Sequence, residues 1–167
     1  MTHRRTAQVT AALAAGLLAV GWATGKRAGG PQERRYYRSL EQAPYAPPAW
    51  AFAPAWAIAK TGTSWTTARV AAAWPDAGRT RMTLAALAVL DLAIYTTFTH
   101  IYFRRRSPKL AAAWTVTDAV VTAAAVPLVA RTDRVAALGL APQAGWLALA
   151  TPVALYQARH NPDPILD

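Results

Sequence analysis

Residues 135–158 read VAALGLAPQAGWLALATPVALYQA, a run without a single Asp, Glu, Lys or Arg. A helix that crosses the hydrocarbon core of a bilayer, roughly 30 Å thick, needs about 20 predominantly apolar residues. This run is long enough, and charged residues stand on both sides of it, at Arg134 and Arg159. The stretch therefore predicts a transmembrane helix.

Four further stretches have a similar length and at most one charged residue each. They are residues 6–25, 48–68, 82–103 and 110–130, and the single charges within the last three are Lys60, Asp91 and Asp118. Short links between apolar helices place consecutive helices antiparallel and side by side. We therefore expect an all-α fold over residues 1–167, a single domain of five transmembrane helices, with residues 26–47 as a long polar loop.

The first of these stretches has a second interpretation. A basic Met1–Arg5 segment ahead of an apolar run is also typical of a secretory signal peptide. Against it, Ala15, Ala19 and Ala23 recur every four residues and form a strip suited to close helix contact.

Composition agrees with a membrane protein. Hydrophobic residues make up 54% of the chain and charged residues 16%, against about 25% charged in ordinary soluble domains. The net charge of +10 gathers between the apolar runs, which favours anionic membrane lipids as partners over nucleic acid. Because cysteine is absent, disulfides, thiolate metal sites and cysteine nucleophiles are excluded.

A proline- and tryptophan-rich motif leads into the second helix. Residues 36–56 read YYRSLEQAPYAPPAWAFAPAW. This segment resembles the signature of the tryptophan-rich sensory protein family, TspO/MBR, which includes the mitochondrial translocator protein. Weaker resemblances follow in order at residues 114–118, 142–146 and 159–161, so that the likeness extends over nearly the whole chain.

Several positions depart from the family pattern. Lys60 stands where the family has Tyr, and Gln143 replaces the Tyr beside Pro142. In the third helix the family has the pattern Gln-x-x-x-Asn-x-x-Trp, and this chain has Asp91, Tyr95 and Phe98 at those three positions. The chain is therefore identified as a divergent, bacterial-type member, for which the fold transfers more safely than the ligand.

The resemblance implies a function and a location. It implies a pocket between the helices, capped by loop 26–47, for porphyrin or haem, with Trp50 and Trp146 as the matching pocket residues. The chain would then be a sensor, carrier or scavenger in the bacterial cell membrane, with a homodimer as a further expectation. Some family members are credited with light-dependent porphyrin breakdown, and that activity is one alternative. Another is a structural accessory subunit that binds no small ligand.

Helical spacing groups the remaining candidates. Phe52, Trp56 and Lys60 share one face of the second helix, and Tyr95 and Phe98 lie on one face of the third. The predicted ligand-binding residues are Arg38, Pro47, Trp50, Phe52, Trp56, Lys60, Tyr95, Phe98, Asp118, Pro142 and Trp146. These aromatic faces could equally pack helices together, and arginines of the first loop such as Arg38 could bind lipid headgroups rather than porphyrin propionates.

The charged residues within the predicted membrane helices, Lys60, Asp91 and Asp118, need partners of opposite charge or hydrogen bonds. A charged group near the bilayer centre costs at least about 2.5 kcal/mol, so such groups usually face the bundle interior and pair. We predict that Lys60 pairs with Asp91, with Asp118 as the alternative partner. Lys60 could instead anchor an anionic ligand.

Signatures of catalysis are sparse. The three histidines, His3, His100 and His160, lie near segment ends without a second metal ligand at helical spacing, and no nucleophile motif or phosphate loop is present. We therefore expect no catalytic or metal-binding residues, no obligatory cofactor and no enzyme activity, apart from the light-dependent alternative.

The distribution of positive residues predicts an orientation. The side that contains the first loop, the loop between the third and fourth helices and the C-terminus has ten Lys and Arg residues, and the opposite side has seven. Because positive residues accumulate on the cytoplasmic side, we expect the N-terminus outside and the C-terminus in the cytoplasm.

Overall fold

The structure, a computed structural model, describes residues 30–73 and 79–167, and all regular structure in these ranges is helical. The elements in chain order are α1 (Pro31–Ser39), a 3₁₀ turn (Ala49–Ala51), α2 (Phe52–Ala73), α3 (Arg79–Thr99), a π-helical turn (His100–Arg104), α4 (Pro108–Thr132), α5 (Arg134–Leu138) and α6 (Ala141–His160). The predicted helix at 6–25, and with it the signal-peptide alternative, lies outside the described residues.

Three described helical segments are long and apolar enough to cross a membrane. They are Met82–Arg104, Pro108–Thr132 and Arg134–His160. Between 17% and 33% of the residues in their most apolar windows are buried inside the protein, so most of these residues are partly or fully exposed. Outward apolar surface on this scale is typical of helices that face lipid.

The helix α2 is long enough to cross a bilayer but is not among these three. Lys60, Arg69 and five hydroxyl side chains lower its hydropathy. Of the five predicted spans, the structure therefore supports three as candidate membrane crossings, and α2 is the polar member of the bundle.

Local sequence explains where the apolar helices begin. The Ser107 hydroxyl accepts a hydrogen bond from the Leu110 amide (3.1 Å), and Pro108 occupies the first turn of α4, where its missing N–H costs little. At the opposite end of the bundle, the Asp133 carboxylate accepts hydrogen bonds from the amides of Val135 and Ala136 and starts α5. These amide bonds and the Arg69 guanidinium hold the pKa of Asp133 below its usual range.

The long helices contact one another around an apolar core. Helix α6 lies against α4 and α2, and α3 lies against α4. An apolar core of Val70, Leu84, Val129, Ala136 and Leu140 forms at the end of the bundle where Asp133 lies.

Two glycines permit the closest helix contact. A Cβ added at Gly62 would collide with the Gly139 carbonyl, and one added at Gly139 would collide with the Thr66 hydroxyl and the Gly62 carbonyl. The absence of side chains at both positions lets α2 approach the α5–α6 junction.

The loop predicted at residues 26–47 contains the short helix α1. Pro31 lies in its first turn together with Glu33, and Arg38 lies in its last turn, an arrangement that suits the helix dipole. The segment that follows, up to Pro48, is irregular and leads into the 3₁₀ turn and α2.

Candidate functional site

A buried ion pair lies between α2 and α3. The Lys60 Nζ donates a hydrogen bond to the Asp91 Oδ1 over 2.7 Å, and the two residues are 5% and 7% exposed. The Nζ also lies 5.3 Å from the Trp56 ring centroid and 5.0 Å from that of Tyr95, within cation–π range. The predicted pairing of Lys60 with Asp91 is thus confirmed.

Gln143 of α6 joins this ion pair to α4. Its Oε1 accepts hydrogen bonds from the Lys60 Nζ (3.1 Å) and the Thr63 hydroxyl (2.7 Å). Its Nε2 lies 2.5 Å from the Asp91 Oδ1, 3.3 Å from the Asp118 Oδ1 and 3.0 Å from the Thr122 Oγ1. The amide of Gln143 on α6 therefore binds polar groups from three other helices, α2, α3 and α4. We call the set of Lys60, Thr63, Asp91, Asp118, Thr122 and Gln143 the polar cluster.

Asp118 is the least satisfied member of the polar cluster. It is 1% exposed, and its Oδ2 has no hydrogen-bond partner among the described residues. Asp118 belongs to the same cluster as Lys60, and Gln143 bonds to both residues. A buried, ionised acceptor without a donor is unfavourable, and a proton held on the Asp118 carboxyl removes that cost.

An aromatic cluster lies next to the ion pair, toward the first loop. Trp146 contacts Phe52 (ring centroids 5.3 Å apart) and Trp56 (6.3 Å), both edge to face. Trp56 in turn contacts Tyr95 at 5.8 Å, and Tyr37 of α1 contacts Phe52 at 5.7 Å. We call these five residues the aromatic cluster.

The aromatic cluster has an unused donor. The Trp146 Nε1 is buried and has no hydrogen-bond partner in the described part of the chain. A buried indole N–H normally finds an acceptor, so this one can donate to a molecule that enters the cluster.

The other predicted ligand residues are distributed around this cluster. Phe98 stacks on Tyr102 with ring centroids 5.6 Å apart, and the Pro47 carbonyl accepts a weak hydrogen bond from the Tyr37 hydroxyl (3.4 Å). Pro142 and Arg38 are exposed. Trp50 is 76% exposed and makes no ring contact with another described residue, so the structure does not bring it together with Trp146.

The first loop is fastened to the end of α6. The Asn161 side chain bonds both backbone groups of Glu41: its Oδ1 accepts from the Glu41 amide (2.7 Å), and its Nδ2 donates to the Glu41 carbonyl (3.1 Å). The Gln157 Nε2 also donates to the Gln42 Oε1 (2.7 Å), and the Tyr102 hydroxyl donates to the Gln157 Oε1 (2.9 Å). These contacts hold the loop over the end of the bundle at which α2 begins and α6 ends.

The C-terminal tail is fastened to the same end. The Asp163 carboxylate accepts hydrogen bonds from the Ser107 hydroxyl (2.6 Å) and the Lys109 amide (2.9 Å) at the start of α4. Burial alone would raise the pKa of Asp163, but these bonds and the amides of Ile165 and Leu166 outweigh it and hold the pKa below its usual range.

Tyr36 of α1 presents a second unpartnered donor at this end. Its ring lies edge to face with Tyr102 (5.6 Å), and its buried hydroxyl has no hydrogen-bond partner among the described residues. Burial, aided by the nearby Asp163 carboxylate, raises the pKa of Tyr36 to about 12. The phenol therefore stays neutral and able to donate at physiological pH.

Sequence reasoning missed several of these residues. Gln143 was noticed only as a departure from a family pattern, although it is the centre of the polar cluster. Thr63 follows Lys60 by three positions and Thr122 follows Asp118 by four, and this spacing on charged helices is a signal that could have identified both. In residues 30–73 and 79–167, no three His, Asp or Glu side chains are grouped in a way that could hold a metal ion.

Comparison of the sequence with models of known protein families gives a match to one family. The model of the TspO/MBR family matches residues 9–159, which include the first loop, α2, and almost the whole of the three apolar segments. A search of curated proteins gives no match.

Proposed function

Because the chain belongs to the TspO/MBR family of membrane proteins, we propose that it binds a flat hydrophobic ligand of the porphyrin or haem type at the aromatic cluster, as a sensor, carrier or scavenger. The observation that carries this proposal is the buried indole N–H of Trp146, which has no hydrogen-bond partner among the described residues and lies among the rings of Phe52 and Trp56. A large flat ring system gains mainly by burial and stacking, and the indole supplies one directional hydrogen bond.

The charge arrangement bears on how the ligand's carboxylates are held. Lys60 donates hydrogen bonds to Asp91 and Gln143, and the Asp91 carboxylate already compensates its charge within the bundle. Porphyrin propionates would pair instead with arginines at the loop end, such as the exposed Arg38. The Tyr36 hydroxyl at the same end, which has no partner in residues 30–73 and 79–167, is a further donor.

The experiment is a titration of the detergent-solubilised protein with protoporphyrin IX. We expect saturable quenching of tryptophan fluorescence and a saturable change in Soret absorbance, with a dissociation constant of about 1 μM. Trp146→Phe keeps an aromatic ring and removes the N–H, so it should weaken binding by about tenfold. The matched control is Trp65→Phe, because Trp65 is 37% exposed and contacts Arg69 at the opposite end of the bundle.

Two results would count against this function. Wild-type protein without any saturable signal would favour a structural accessory subunit that binds no small ligand. Equal weakening by Trp146→Phe and Trp65→Phe would move the site away from the aromatic cluster. Illumination of the complex, followed by loss of the Soret band in wild type but not in Trp146→Phe, would favour light-dependent breakdown over simple carriage.

The loop contacts also support a proposal for orientation. The Glu41–Asn161 and Ser107–Asp163 contacts hold the first loop, the start of α4 and the C-terminal tail at one end. This end has the larger number of positive residues, so we place it in the cytoplasm. A C-terminal reporter should then be active in the cytoplasm, and activity only outside would reverse the orientation.

A further inference from the structure

The polar cluster contains two carboxyl groups and one ammonium group. Lys60 supplies one positive charge, whereas Asp91 and Asp118 supply two negative charges when both are ionised, and all three residues are at most 7% exposed. Among the described residues, the charged groups that face Asp118 are Lys60 of α2 and Asp91 of α3, and α6 presents the uncharged Gln143. A net charge enclosed in a membrane bundle is strongly unfavourable, so a neutral cluster is favoured.

The two carboxyl groups lie close enough to share a hydrogen. Asp118 is within hydrogen-bonding reach of the Asp91 carboxyl, and its Oδ2 has no donor among the described residues. Two ionised carboxylates have no hydrogen between them and repel each other, whereas a protonated carboxyl donates to an ionised one. One proton on Asp118 therefore supplies both the missing hydrogen and the missing positive charge.

A cavity of about 220 Å³ gives this proton a route to water. Its lining includes Asp91, Thr63 and Thr122 of the polar cluster, and it extends from them toward the apolar core at Val129. The lining does not include Asp118, so water in the cavity reaches the Asp91 carboxyl first. Because one water takes up about 30 Å³ in the liquid, the cavity has room for several waters, and the threonine hydroxyls can bind them.

We propose that the polar cluster is an intramembrane proton-binding site, in which one proton is bonded to Asp118, is donated in a hydrogen bond to Asp91 and exchanges through Asp91 with water in the cavity. The cluster has no net charge while the proton is bound. Asp91 then remains the counter-ion of Lys60, whose ammonium lies near the rings of Trp56 and Tyr95. Release of the proton would give Lys60 a second carboxylate to bind. Proton binding is thereby coupled to the position of Lys60 beside the aromatic cluster.

The test is infrared spectroscopy of the full chain in lipid nanodiscs at neutral pH, with ¹³C at the carboxyl carbon of the aspartates. A protonated carboxyl absorbs at a higher frequency than an ionised carboxylate, and both the ¹³C label and deuterium oxide shift its band downward. We expect one such band in wild type and its loss in Asp118→Asn. Asp167→Asn replaces an exposed carboxylate of the tail, and this matched control should retain the band.

Two further variants test whether the proton is shared with the ion pair. Asp91→Asn leaves Asp118 as the remaining carboxyl of the polar cluster, so Asp118 should ionise to pair with Lys60 and the band should disappear. Lys60→Met removes the ammonium, so both carboxyls should hold protons and the band should about double in area.

A third pair of variants tests the route through the cavity. Ala88→Phe places a ring in the cavity one helical turn before Asp91 and should slow the exchange of the carboxyl proton for deuterium severalfold. Ala86→Phe adds the same ring at an exposed position outside the lining, and exchange should be as fast as in wild type.

Three outcomes would overturn the proposal. A wild-type spectrum without a protonated aspartate band would do so without any variant, as would a band that survives Asp118→Asn. An unchanged band in Asp91→Asn and Lys60→Met proteins of wild-type helix content would show that the proton does not balance the charge of the ion pair. Equal exchange rates in Ala88→Phe and Ala86→Phe would exclude the cavity as the route.

Discussion

Removing either partner of the Lys60–Asp91 pair should destabilise the protein, and the two losses should differ. Lys60→Met leaves two carboxylates, Asp91 and Asp118, without any cation in a region where each is at most 7% exposed. Breaking a buried pair in this way costs about 3 to 5 kcal/mol. Asp91→Leu should cost less, about 3 kcal/mol, because Asp118 and the Gln143 carbonyl oxygen remain to stabilise the ammonium.

The double variant provides the decisive comparison. Lys60→Met combined with Asp91→Leu removes both charges of the pair, so it should recover much of the summed loss, with a coupling free energy of about 2 to 3 kcal/mol. The free energy of unfolding of all four proteins is measured by titration with a denaturing detergent, and far-ultraviolet circular dichroism reports helix content. Losses that add to within about 0.5 kcal/mol would refute the idea that the two side chains stabilise each other.

Further predictions concern the helix contact, the loop and the tail. Gly139→Ala should lower the free energy of unfolding by about 1 to 3 kcal/mol, because its methyl group meets the Thr66 hydroxyl; an unchanged thermal midpoint would contradict the close approach. Asn161→Ala should release the loop at Glu41, seen as faster amide hydrogen exchange there with little change elsewhere. Asp163 has a lowered pKa, so its stabilisation is complete above its unfolded value of about 3.9 and is lost as pH falls through the lower folded value. Asp163→Asn should therefore be less stable than wild type at pH 6, and the difference should shrink as pH falls below about 4; a difference independent of pH would contradict this role.

The sequence predicted the helices and the ion pair because both depend on short-range regularities. Uninterrupted apolar runs indicate membrane crossings, and a lone charge in such a run needs a partner whatever the tertiary arrangement. The departures from the family pattern at Lys60 and Asp91 were complementary in sign, which was enough to predict their pairing.

The rest depends on tertiary placement that periodicity does not encode. Gln143 lies in the polar cluster because α6 packs against both α2 and α4, and a glutamine gives no charge signal in the sequence. The contact of Asn161 with Glu41 joins residues that are 120 positions apart. The predicted partnership of Trp50 and Trp146 rested on family resemblance alone, and the geometry associates Trp146 with Phe52 and Trp56 instead.

The most direct test of the proposed function follows the indole N–H of Trp146 itself. Two-dimensional ¹⁵N–¹H spectra of protein labelled at tryptophan, assigned by single Trp→Phe substitutions, are recorded during a titration with protoporphyrin IX. We predict that the Trp146 indole signal shifts saturably at a stoichiometry of about one, because its buried Nε1, without a partner in the described part of the chain, acquires an acceptor or a stacked ring. The Trp65 signal should stay in place. A Trp146 signal that remains unchanged while porphyrin binds, or a uniform shift of all indole signals, would contradict a ligand site at the aromatic cluster.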